Sequence, residues 1–74
     1  MKQRSKYKGY VIEARAVSVR GGDWTSHFSI EQHRTCDVLD TRFETGQIFK
    51  TGEAALRAGF HYGAYKIESG FQIA

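Results

Sequence analysis

From Tyr10 to Val17 the chain alternates, with Tyr10, Ile12, Ala14 and Ala16 on one side and Val11, Glu13, Arg15 and Val17 on the other. A period of two is that of a half-buried β-strand. Val19-Arg20-Gly21-Gly22-Asp23 supplies a turn, after which Trp24, Ser26, Phe28 and Ile30 alternate with Thr25, His27, Ser29 and Glu31. Two such runs joined by a glycine turn predict a hairpin with one apolar and one polar face. A slip of one residue would turn every side chain over, so the register is well specified. Gln32 to Cys36 is polar and reads as a loop. Leu39, Thr41 and Phe43 alternate with Val38, Asp40 and Arg42 in a third strand, Glu44-Thr45-Gly46 reads as a turn, and Gln47 to Lys50 as a short fourth strand.

The period changes at Thr51. In Thr51 to Ser69, Leu56, Phe60, Ala64 and Ile67 fall into one stripe at helical spacing. Ala55, Gly59 and Gly63 form a second row almost without side chains. A glycine inside a helix costs about 0.8–1 kcal/mol relative to alanine. Two on one row therefore predict the close approach of another backbone. The Thr51 hydroxyl can accept from a free amide of the first turn, and Glu53 suits the positive end of the helix dipole. Ala54 occupies the position where a capping box needs Glu or Gln. Gly70 offers a left-handed stop, and Phe71 or Ile73 in the apolar end is expected to fold back onto the domain. The pattern predicts an α+β fold, an antiparallel sheet of three to four strands packed on one C-terminal helix.

Seventy-four residues suffice for one small domain, and a chain of this size buries only about 60% of its unfolded surface. Hydrophobic residues at 41% and aromatic residues at 14% are too many for a disordered chain. The net charge of +3 is unevenly placed: Lys2, Arg4, Lys6 and Lys8 lie within the first eight residues, which contain no acid, and the rest of the chain sums to −1. Residues 1–8 are accordingly expected to be a basic flexible tail, and residues 9–74 the single domain. A lone Cys36 makes no internal disulfide, no leader-like apolar core follows the basic start, and no apolar run approaches the roughly 20 residues that span a bilayer. A soluble, cytoplasmic protein with no membrane partner is the expectation.

Chemistry-bearing residues are sparse. His27, His33, Cys36 and His61 include a chelating spacing, His33-x-x-Cys36, but no paired Cys-x-x-Cys or His-x-x-x-His occurs. Cys36 with His33 lacks a third group to orient the histidine and an oxyanion site. Asp37 and Asp40 would project to opposite faces of a strand, which excludes shared acid–base work. Gly21-Gly22 matches no phosphate loop. Gly59-x-x-x-Gly63 lies in a segment too polar for a membrane helix pair, with His61, Tyr62 and Lys66. No catalytic residue, metal or cofactor is expected, and the protein reads as a non-enzyme.

One wider pattern is present: Tyr7-x-Gly9-Tyr10-x-Ile12, then Trp24 after the glycine turn, then Phe49-x-Thr51-x-Glu53-x-Ala55-x-x-Ala58-Gly59-x-x-x-Gly63-x-x-x-Ile67. It resembles a family of short uncharacterised proteobacterial proteins over most of residues 7–68. Ala54 and Ala64 depart from that family, whose members usually have an acid at the first position and often a base at the second. The resemblance implies a compact strands-then-helix domain and no established activity.

Two functional readings follow. In one, the chain is a small non-catalytic protein-interaction module, self-associating or binding another protein through an edge strand or through exposed aromatic surface at Tyr62, Tyr65 and Phe71. In the alternative it binds nucleic acid, with Lys2, Arg4, Lys6, Lys8, Arg15 and Arg42 as candidate phosphate contacts, aided by His27 and His33, and Tyr7 or Tyr10 stacking on bases. Glu13, Glu31, Asp40 and Glu44 alternate with the basic groups, so cross-strand pairing accounts for the same pattern without a ligand.

Overall fold

A computed structural model describes residues 1–70 of the chain. Four strands, β1 (Lys2–Tyr7), β2 (Tyr10–Ser18), β3 (Trp24–His33) and β4 (Val38–Phe49), precede one helix, α1 (Gly52–Glu68). The strands form an antiparallel meander in the order β1-β2-β3-β4, and α1 lies across one face, chiefly on β2 and β3. This is the α+β architecture expected from the periodicity.

The alternating residues take the faces their spacing assigns. Ile12 pairs with Ile30 and Ala14 with Phe28, and these four residues with Ala16 and Ala55 are the buried apolar core. Above them, the buried positions of α1 are Gly52, Ala55, Gly59 and Gly63. The glycine row faces the sheet, while Leu56, Phe60, Ala64 and Ile67 are half-buried beside it. A Cβ on Gly59 would sit 2.9 Å from Ala14 Cβ, and one on Gly63 would sit 2.9 Å from Ile12 Cγ2. The helix therefore rests on the pleats of β2 and β3 so closely that an added Cβ would force a neighbour or the helix to shift.

The helix ends follow their sequence signals. Thr51 Oγ1 accepts from the Ala54 amide at 3.0 Å, and Gly70 takes a left-handed φ of 86° just past the last turn. Phe71 and Ile73 lie outside the described residues.

Two expectations are corrected. Residues 2–7 do not form a tail: they are β1, an edge strand paired with β2 from Lys2↔Arg15 to Tyr7↔Tyr10. The connection is a two-residue turn with φ of 48° at Lys8 and 84° at Gly9, the positive-φ geometry that closes tight hairpins. Residues 2–7 thus belong to the folded sheet. Glu44-Thr45-Gly46 is not a turn either, because β4 runs unbroken through it. Gly46, at φ 72°, lies in a bulge where the register with β3 shifts between Thr25 and His27. Thr45 Oγ1 donates to the Ser26 carbonyl at 3.1 Å and Thr25 Oγ1 to the Gln47 carbonyl at 2.8 Å, so side chains stitch the place where the ladder is interrupted.

Candidate functional site

The second face of the sheet carries no helix. Strand parity gathers on it Lys2, Arg4 and Lys6 from β1, Glu13 and Arg15 from β2, His27, Ser29, Glu31 and His33 from β3, and Asp40, Arg42 and Glu44 from β4. Each row crosses the strands with mixed sign, and the groups pair. Arg4 bridges Glu13 at 3.1 Å and Glu31 at 2.8 Å. Arg15 meets the other oxygen of Glu13 at 3.0 Å, and His33 Nε2 lies 2.9 Å from Glu31. Further along, Arg42 lies 3.5 Å from Asp40 and His27 lies 3.7 Å from Glu44. Hydrogen bonds from Arg4, seconded by Arg15, hold the Glu13 carboxyl below its ordinary range, and Arg4 does the same for Glu31. The Arg4 guanidinium is in turn driven further towards its charged form.

Five of the six candidate phosphate contacts, all but Lys8, are therefore brought onto one face, and the three arginines among them lie beside carboxylates there. Arg4 and Arg15 are committed to carboxylates, while exposed Arg42 stands at a looser 3.5 Å from Asp40. Lys8 lies at the hairpin turn and pairs with Glu68 at the end of α1. Glu68 also accepts from the Tyr7 hydroxyl at 2.5 Å, so Tyr7 belongs to the helix side, and Tyr10 is its cross-strand partner. Neither tyrosine stacks over the open face as the nucleic-acid reading expects. Among the described residues, Lys2 and Lys6 on that face form no ion pair.

The sequence-predicted aromatic surface is divided. Tyr62 is half-buried and donates to Gln47 Oε1 at 2.8 Å, tying α1 to β4. Tyr65 is 67% exposed. Phe71 lies outside the described residues. Two exposed apolar side chains that the pattern did not single out belong to β4: Val38 at 51% and Ile48 at 58% exposure. Their signal was their position on the polar side of an alternating strand, where an apolar residue has no core to enter.

Among the described residues, no group of three or more His, Cys, Asp or Glu is placed to hold a metal ion. Cys36 is free and exposed in the β3–β4 connection. Among them, too, no helix is long and apolar enough to cross a membrane.

A four-strand meander with one face roofed by a glycine-rich helix and the other an ion-paired lattice defines a small α+β domain. The chain belongs to the family described as Domain of unknown function (DUF6566), which matches residues 1–73. No curated protein and no solved structure matches it.

Proposed function

We propose that this protein is a small non-catalytic interaction module, acting in the cytoplasm, that binds a protein partner along the outer edge of β4. The observation that carries the reading is the character of that edge. β4 spans 12 residues, about twice the usual strand length, and α1 is centred over β2 and β3 rather than over it. Among the described residues, no strand pairs with the outer side of β4, which leaves a row of backbone N–H and C=O groups there, flanked by exposed Val38 and Ile48. Such an edge is a template for an added strand, in which main-chain hydrogen bonds give affinity and side-chain pairs give selectivity.

The reading is tested by capture from a cell lysate with the full chain and with Val38→Lys/Ile48→Lys. Proteins retained by the first and lost by the second support it; equal recovery by both removes it.

Nucleic-acid binding is the second reading, favoured by the placement of Lys2, Arg4 and Lys6 on one face of β1. Phosphate contacts would make binding to duplex DNA weaken steeply with salt. No binding by the intact protein at about 50 mM salt would remove it.

A further inference from the structure

We propose that the occupant of the β4 edge is a second copy of this chain, paired antiparallel about a two-fold axis through Thr41. The inference rests on the interaction-module reading and names its partner.

The sheet has two edges, and only one suits a copy of itself. On β1, Lys2, Arg4 and Lys6 share one face, so a second β1 laid against the first sets cation beside cation, a device that blunts edges. On β4 the same face carries both signs, Asp40, Arg42 and Glu44.

Self-complementarity then selects the register. In an isologous pair each contact occurs twice, and residues facing each other point to the same side of the sheet. An axis at Asp40, Arg42 or Glu44 sets a charge against its own copy, and the axis at Arg42 also sets Asp40 against Glu44. An axis at Leu39 pairs only Val38 to Asp40. An axis at Phe43 must carry the ladder through Gly46, where φ is 72° and β4 bulges.

The axis at Thr41 uses the regular stretch from Val38 to Glu44 and meets none of these obstacles. Thr41 faces its copy, Asp40 faces the second copy's Arg42, and Leu39 faces the second copy's Phe43, the last two contacts occurring twice. The charged pairs lie on the open face and the apolar pairs on the helix side. Arg42 has the freedom to make the new contact, since its side chain is 75% exposed and stands 3.5 Å from Asp40 of its own strand. Because α1 sits over β2 and β3, two helices on one face of an eight-stranded sheet would not collide.

The test measures mass against concentration by sedimentation for the full chain and its charge variants. Asp40→Lys or Arg42→Glu places two like-charge pairs at the seam and should raise the dimer Kd roughly tenfold. The double variant Asp40→Lys/Arg42→Glu restores opposite pairs and should return the Kd towards that of the parent. Independently, Thr41→Cys in a Cys36→Ser background should oxidise to a covalent dimer, because facing Cα atoms in an antiparallel pair are about 4.5–5.5 Å apart, within reach of a disulfide. A chain that stays monomeric up to about 1 mM, where Kd arithmetic leaves only some 4 kcal/mol of binding, overturns the inference. So does a dimer indifferent to the charge swap that fails to cross-link at position 41. Either result leaves the lysate capture by the β4 edge standing as a separate question.

Discussion

Replacing Gly59 by a larger residue sets two effects of opposite sign against each other. Helix propensity favours the change: alanine in place of glycine gains about 0.8–1 kcal/mol, and leucine somewhat less. The packing opposes it. The new Cβ would lie 2.9 Å from Ala14 Cβ, 3.0 Å from Ser26 Oγ and 3.5 Å from Ala14 Cα, whereas carbon atoms rest at about 3.5–4.0 Å. Ala14 Cβ is fixed to a central strand and cannot swing aside, so α1 must lift by several tenths of an ångström and loosen its contacts at Ala55 and Gly63. Overpacking of this kind costs about 1–3 kcal/mol. Gly59→Ala should therefore be neutral to about 2 kcal/mol destabilising, and Gly59→Leu, with three more carbons in the same gap, clearly destabilising. The assay is urea unfolding at one fixed protein concentration, read as a lower midpoint with an unchanged slope. Adding Ala14→Gly removes the nearest contact, and the double-mutant cycle should show a coupling of about 0.5–3 kcal/mol. Stabilisation by both Gly59 variants, or additive energies in the cycle, would refute the close approach of helix and sheet.

Three further outcomes are expected. Ser26 Oγ is buried with no hydrogen-bond partner among the described residues, so Ser26→Ala should hold or raise stability by about 1 kcal/mol in the same unfolding assay; a loss would reveal a bond to the hydroxyl. Glu13, Glu31 and Glu68 all have lowered pKa values in the folded chain, so their stabilisation is present above the unfolded carboxylate value and is lost as pH falls through the lower folded values. Urea midpoints should drop below about pH 4.5, and Arg4→Met should flatten that drop. Removing residues 1–8 deletes β1 and the Arg4 bridges to Glu13 and Glu31, and should lower the thermal midpoint or abolish folding by circular dichroism. A dispensable tail would leave unfolding unchanged.

What the sequence determined by itself was whatever depends on local periodicity or a single cap. Alternation placed Ile12, Ala14, Phe28 and Ile30 on the covered face and Glu13, Arg15, His27 and Glu31 on the open one. Thr51 marked the helix start, and the spacing of Gly59 and Gly63 foretold a close contact, because glycine inside a helix is costly unless space demands it. The tertiary structure decided the rest. Lys2 to Tyr7 has no apolar alternation, and it becomes a strand because β2 offers its free edge and Glu13 and Glu31 receive Arg4. Gly46 reads locally as a turn, yet β3 supplies ladder partners on both sides of it, so the chain bulges and continues. Which edge is left for a partner likewise depends on strand order and on where the helix rests, and both arise from contacts between residues far apart in the chain, to which a local pattern is blind.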